Sequence, residues 1–139
     1  DLPVFIYGTD IMKDKLEIAR IGEYDTEKVE RVEERLREKY FQLSAKDFKL
    51  KAEVRQLTRF RKYDLTKPEA LAGFDMIICR NVLIYFQRSL QEKVLKNFHS
   101  ALREGGILWL GTAEGLSQEA AKLFEPVYKN EKIFRKKIV

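Results

Sequence analysis

The chain is poor in the residues that staple a fold, break its elements or bind metals. Its 139 residues include one cysteine, Cys79, one histidine, His99, and three prolines. A single cysteine excludes an intramolecular disulfide framework and any cysteine-built metal site. Because Cys79 and His99 lie far apart in the sequence, a zinc centre or a cysteine–histidine nucleophile pair is disfavoured. His99 sits in a helical pattern and reads as structural. The seven glycines are scattered, and no Gly-x-Gly-x-x-Gly loop marks a nicotinamide-dinucleotide site. No apolar run approaches the roughly 18–20 residues of a membrane span. Asp1-Leu2-Pro3 also lacks the charged start of a signal peptide. These absences point to a reduced, cytoplasmic setting.

Hydrophobic residues make up 45% of the chain and charged residues 35%, with a net charge of +5. The length suits one domain, or most of one. Basic stretches at residues 46–51, 59–62 and 135–137 raise the question of a nucleic-acid or membrane surface. Acids are scattered among the bases, so an ordinary solvated surface is the better reading. The same charge would help steer an acidic protein substrate.

Apolar patterning gives the element order. Val4-Phe5-Ile6-Tyr7 reads as a buried strand that runs out through Gly8-Thr9-Asp10. Residues 13–20 read as a helix with Leu16 and Ala19 inward, ended by Ile21-Gly22. Residues 26–40 carry Val29, Val32, Leu36 and Tyr40 at helical spacing, with a break expected near the start. Phe48-Lys49-Leu50-Lys51 and Val54-Arg55-Gln56-Leu57 alternate apolar and polar and predict a half-exposed ribbon. Arg59-Phe60-Arg61-Lys62-Tyr63 leads to Asp64-Leu65, and a loop with Pro68 follows. Residues 74–79 form another apolar strand. Ser89 with Glu92 predicts a capping box for the helix carrying Leu90, Val94, Phe98 and Leu102. Glu104-Gly105-Gly106 turns into a buried strand at Ile107-Leu108-Trp109-Leu110. Residues 117–123 read as a short helix. Two closing strands flank a turn at Lys129-Asn130-Glu131. Strands alternating with helices predict a mainly parallel, doubly wound α/β sheet with an antiparallel edge pair.

In such a sheet, ligands bind beyond the carboxyl ends of the strands. Three polar exits lie there: Asp10, Asp64 and Arg80-Asn81. The two oxygens of Asp10 suit a pair of ribose hydroxyls, and equally suit an N-cap for the following helix. Asp64 either turns the chain before Pro68 or reads an adenine edge together with the next amide. Asn81 and Tyr85 share a face if their stretch is helical. Tyr85 is then either a functional phenol or a core tyrosine that needs a hydrogen-bond partner.

The run Phe74-Asp75-Met76-Ile77-Ile78-Cys79-Arg80-Asn81-Val82-Leu83-Ile84-Tyr85-Phe86 resembles the signature of CheR-type chemotaxis-receptor glutamate methyltransferases. Four further stretches agree in order. Gly8-Thr9-Asp10-Ile11, with Leu16, Ala19-Arg20 and Gly22-Glu23-Tyr24, is similar to the family's second-strand segment. Lys39-Tyr40-Phe41 resembles the start of its inserted β-subdomain. Tyr63-Asp64-Leu65 stands where the family often has Asn-Leu. Leu102-Arg103-Glu104-Gly105-Gly106-Ile107-Leu108-Trp109-Leu110-Gly111-Thr112-Ala113-Glu114 resembles its Leu-Lys-Pro-Gly-Gly…Gly-x-Ser-Glu segment, with Thr112-Ala113 departing from the common His-Ser.

The resemblance implies a Rossmann-like methyltransferase fold over residues 1–139, dependent on S-adenosylmethionine, with a small inserted antiparallel β-subdomain at about 41–57. It implies that Asp10 binds the cofactor ribose, that Asp64 and Leu65 line the adenine, and that Arg80 and Asn81 sit beside the cofactor. Tyr85 is the implied catalytic residue, near the methyl group, in an apolar cavity built from the Val82-to-Phe86 run. No metal is implied, and the spent cofactor is S-adenosylhomocysteine. The implied substrate is the cytoplasmic helices of chemotaxis receptors, without nucleic acid or membrane insertion. Asn81, after the strand at residues 74–79, is followed by Val82-Leu83-Ile84 and does not open the Pro-Pro motif of base-amino methyltransferases.

The family's first strand, its Gly-rich cofactor loop and its catalytic arginine have no counterpart in this sequence, so the implied fold is incomplete. The expectation is an isolated chain that binds cofactor poorly and is inactive, completed by a companion amino-terminal fragment or by strand exchange with a second copy. A non-catalytic receptor-binding module is the competing reading. The ribbon lacks the Gly-rich turn of members that hold a receptor's tail, so a tail-independent member is expected.

Overall fold

The computed structural model describes residues 3–45, 47–67 and 71–138; Lys46 of the first basic stretch and Pro68 of the predicted loop lie outside them. The chain divides into two compact units, Asp1–Asp64 and Leu65–Val139.

The first unit opens with β1 (Ile6–Asp10), set two residues later than the apolar run suggested. Helix α1 (Lys13–Ile21) buries Leu16 and stops at Gly22, whose φ of 69° is a left-handed conformation that glycine adopts without a Cβ clash. After β2 (Glu23–Tyr24) the charged segment forms α2 (Thr26–Val29) and α3 (Glu34–Tyr40). The predicted break is present. Val29 is anchored in the interior, and Glu33, at φ −48° and ψ 131° outside the helical region, starts the second helix anew.

β3 (Phe41–Ser44) and β4 (Asp47–Leu50) form an antiparallel hairpin, with β2 on the other side of β4. The second half of the predicted ribbon is different. Val54-Arg55-Gln56 lies in α4 (Ala52–Gln56), not in a strand. The segment does not in fact alternate: Val54 and Leu57 stand three apart with two polar residues between them, a helical spacing, and Ala52, Glu53 and Gln56 are good helix formers. The unit ends with β5 (Thr58–Lys62), parallel to β1 in the register Gly8↔Phe60 and Asp10↔Lys62.

The second unit contains β6 (Phe74–Cys79), a 3₁₀ turn at Leu83–Tyr85, α5 (Arg88–Ala101) and β7 (Leu102–Leu110). A second 3₁₀ turn at Ala120–Lys122 precedes β8 (Phe124–Tyr128) and β9 (Ile133–Lys136). The sheet order is β6-β7-β9-β8. β6 and β7 are parallel, as the alternation of elements predicted, and the closing strands β8 and β9 are antiparallel as expected. β9 is also antiparallel to β7, and among the described residues β1 and β5 pair in a sheet of their own, so the one mainly parallel sheet expected is divided. Val94, Leu95 and Phe98 of α5 pack with Leu108, Leu110, Phe124 and Phe134 of the sheet in one apolar core.

Three further local expectations fail. Leu102, expected on the long helix, and Glu104-Gly105-Gly106, expected as a turn, already lie in β7. The residue that starts α5 is the extended Gln87, with no side-chain cap, so Ser89 lies inside the helix and Glu92 instead meets Arg88 at 3.7 Å. The helix expected at 117–123 shrinks to the 3₁₀ turn, where the Ser117 hydroxyl accepts the Ala120 N–H at 3.2 Å. Among the described residues, no helix is long and apolar enough to cross a membrane.

Candidate functional site

Because β1 and β5 run parallel, their carboxyl ends lie side by side. Asp10 is the last residue of β1. Its main-chain oxygen accepts the Tyr63 N–H at 3.0 Å, which joins the strand end to the residue before Asp64. The first unit therefore brings Asp10 and Asp64 to adjoining strand exits, both half-buried. The helix-cap reading of Asp10 is not realised. Met12 occupies that position, and Asp10 Oδ1 accepts the Met12 N–H at 2.8 Å, an acid closing a two-residue turn after the strand.

In the second unit, β6 and β7 also end together, with Cys79 opposite Leu110. β6 exits into Arg80-Asn81 and β7 into Gly111. The Arg80 guanidinium lies 5.2 Å from the centre of the Trp109 ring, in the range of a cation–π contact. Asn81 has a φ of 59°, in the left-handed region that asparagine tolerates better than most residues. That conformation and the 3₁₀ turn behind it mean that Asn81 and Tyr85 do not share an α-helical face. Leu83 is buried, and Val82 and Phe86 pack against the core together with Leu65. Tyr85 is 81% exposed and Ile84 is exposed beside it. The core-tyrosine alternative therefore falls. Of the apolar side chains expected to surround Tyr85, Val82, Leu83 and Phe86 pack into the core of their own unit instead.

Sequence reasoning did not single out Glu114. It is 6% exposed and lies in the turn after β7. Its Oε1 accepts the N–H groups of Val82 at 2.9 Å and Leu83 at 2.7 Å. Its Oε2 accepts those of Asn81 at 2.9 Å and Gly111 at 2.6 Å. Three successive amides converging on one anion form a backbone nest. Burial by itself raises the carboxyl's pKa, but the amide bonds from Gly111, Asn81, Leu83 and Val82 together outweigh it and hold the group below its ordinary value. The Cys79 thiol is pushed up to about 12, first by burial and then by the Glu114 charge.

On the other side of the same loop, Gln91 Nε2 donates to the carbonyls of Leu83 at 2.8 Å and Phe86 at 3.0 Å. A signal for Glu114 as a residue type was present in the sequence: one acid among Gly, Thr and Ala after the apolar Ile107-Leu108-Trp109-Leu110 end of β7. His99 is structural, as read. Its Nε2 lies 3.0 Å from the Lys137 carbonyl, and its ring meets Phe124 edge-on.

Residues 1–133 match the family model described as the CheR methyltransferase, SAM binding domain. The chain belongs to the CheR methyltransferase family. A chemotaxis protein methyltransferase of Vibrio anguillarum is 40% identical to this CheR-family chain over 136 residues, covering 96% of the chain and 49% of the relative. One from Listeria innocua is 36% identical over 115 residues, covering 83% and 44%. The chain thus spans about half the length of the curated relatives it matches.

Among solved structures, the N-methyltransferase NodS from Bradyrhizobium japonicum, in complex with S-adenosyl-L-homocysteine, superposes with a TM-score of 0.56 at 13% identity, over 95% of this chain and 66% of that one. A TehB-like SAM-dependent methyltransferase from Corynebacterium glutamicum gives 0.52 at 16%, over 95% and 66%. At these identities the likeness concerns the fold, which is Rossmann-like and shared with SAM-dependent methyltransferases.

Proposed function

We propose that, within a longer protein, this chain takes part in transferring a methyl group from S-adenosylmethionine to glutamate carboxylates on the cytoplasmic helices of chemotaxis receptors. The observation that carries the reading is the family match over residues 1–133. The strand ends fit such a cofactor chemically. Asp10 offers a half-exposed carboxylate at the exit of a parallel strand, suited to two ribose hydroxyls. In this reading Asp64 and Leu65 serve the adenine, Arg80 and Asn81 lie beside the cofactor, and the exposed Tyr85 orients the reacting groups.

The cofactor, when bound, supplies an electrophilic methyl group on a sulfonium. The acceptor glutamate is already nucleophilic at neutral pH, so the residues of this chain contribute positioning and exclusion of water. No covalent enzyme intermediate and no metal are required.

The hairpin region at about 41–57 serves, in this reading, as the inserted β-subdomain. We further propose that the strand edges of β1 and β6 are covered in the working protein, by a companion amino-terminal segment or by a second copy. Among the described residues β1 pairs only with β5 and β6 only with β7, and both strands show apolar side chains, with Phe5 next to β1 68% exposed and Ile78 59% exposed. Parallel strands in this kind of sheet are ordinarily buried on both faces.

The test is transfer of labelled methyl from S-adenosylmethionine to receptor cytoplasmic fragments by the longer protein. Tyr85→Phe is expected to lower the turnover, and no labelling with wild-type protein would remove the reading. Calorimetry on the 139 residues alone is expected to show weak cofactor binding. Micromolar affinity there would overturn the need for a covering segment.

A further inference from the structure

The loop that leaves β6 is held by polar groups that no step of the proposed reaction uses. Glu114 is buried, and among the described residues its charge is answered by four backbone amides and by no ion pair. Burying a carboxylate is expensive unless every lone pair is engaged. Here the arrangement is close to complete, and all its donors come from one short loop and the turn facing it.

The acceptors and donors are also sorted by side. Glu114 takes the N–H groups of residues 81–83, and Gln91 donates to the carbonyls of Leu83 and Phe86. The loop between them contains the left-handed Asn81 and ends in the exposed Tyr85. The nest itself is filled from within, so its amides are not open to an incoming carboxylate or phosphate. What the arrangement holds is the backbone of residues 81–83 and, through the Phe86 carbonyl, the end of the loop beside Tyr85.

We propose that Glu114 is a positioning residue, seconded by Gln91, which locks the loop after β6 in the one shape that presents Asn81 to the cofactor and Tyr85 to the reacting groups. The assignment rests on the proposed methyltransferase function for its consequence, but not for its geometry. Glu114→Gln is the sharpest substitution, because it keeps the shape and replaces one pair of acceptor lone pairs with an NH₂ that opposes two backbone N–H groups.

The experiment uses the full-length protein containing this chain. Amide hydrogen exchange is read first, without cofactor. In Glu114→Gln, the amides of residues 81–83 and 111 are expected to exchange at least about tenfold faster, while those of α5 and β7 keep their wild-type rates. Cofactor affinity is then read by calorimetry. The dissociation constant is expected to rise by about tenfold or more while a single cooperative melt persists. Glu119→Gln, an exposed charge change of the same kind, serves as the control and is expected to alter neither readout.

If Glu114→Gln does not fold, Gln91→Met carries the same test from the carbonyl side. Faster exchange with unchanged cofactor affinity in the folded variant would overturn the positioning role and leave a merely structural one. Failure of the wild-type protein to bind cofactor would instead strike the proposed function, leaving the exchange result standing.

Discussion

A Cβ placed on Gly111 would overlap the side-chain oxygen of Asn81 and lie 2.8 Å from the Asn81 amide nitrogen and 2.7 Å from Glu114 Oε2. Two strand exits on neighbouring parallel strands therefore approach so closely that only glycine fits at one of them. The obstacle is a backbone atom and a carboxylate already engaged by four amides, and neither can swing aside. Gly111→Ala is expected to destabilise the protein by about 1–3 kcal/mol, the usual range for forcing a methyl into a filled site. It should also disturb the Asn81 loop before the rest of the sheet. Chemical denaturation together with amide exchange at residues 81–83 checks both, and an alanine variant with wild-type stability would mean the two exits do not meet as described.

How much of this was legible beforehand divides along physical lines. The strands at Ile6, Phe74, Ile107 and Ile133 were found because apolar runs bounded by Gly, Asp or Asn carry their own punctuation. The stop at Gly22 followed from glycine's freedom at positive φ. Short segments were read less well. Val54 and Leu57 have the three-residue spacing of a helix and were read as alternating, and Ser89 has the right neighbour for a capping box but sits inside its helix. The candidate site residues Asp10, Asp64 and Arg80-Asn81 were read as polar types at strand exits, and the structure places them at such exits. Glu114 was not: a lone acid after an apolar strand is visible as a type, but its role lies in four main-chain donors contributed by residues 81, 82, 83 and 111, and that pairing leaves no mark on a sequence pattern.

The Glu114 carboxyl makes stability depend on pH in a defined direction. Its folded pKa lies below the ordinary value, so the folded state holds the ionised form more tightly than the unfolded chain does. The stabilisation is fully present above the unfolded value of about 4.3 and is lost as pH falls through the folded value. The stability difference between wild type and Glu114→Gln should therefore be constant near neutrality and shrink in acid below that point. Denaturant titrations between neutral and acid pH decide it; a difference that stays constant throughout would show that the amides do not favour the charged form.

Cys79 is buried, and its pKa is pushed up to about 12 by that burial and by the charge of Glu114. The neutral thiol is thus the form that the fold accepts. Its effect on stability is absent below the unfolded value of about 8.5, and stability declines as pH rises from there through the folded value. At pH 8 the native protein is expected to resist a thiol-specific disulfide reagent and to react fully once denatured, because the nucleophile is the thiolate and access is closed. Rapid labelling under native conditions would place Cys79 nearer to solvent than the sheet allows.

Asp10 carries two duties that a pair of substitutions can separate. One oxygen accepts the Met12 N–H and shapes the turn into α1. In the proposed function the carboxylate also receives the ribose hydroxyls of the cofactor. Asn keeps a carbonyl oxygen for the turn but replaces the second acceptor with a donor and removes the charge. Asp10→Asn should therefore cost less than about 1 kcal/mol of stability while weakening cofactor binding about tenfold or more, since hydrogen bonds to a charged group are worth about 1.5–3 kcal/mol. Asp10→Ala loses both duties and should show a lower melting temperature as well. If both variants bind cofactor as wild type does, Asp10 is a turn residue alone, and the ribose must be held elsewhere in the longer protein.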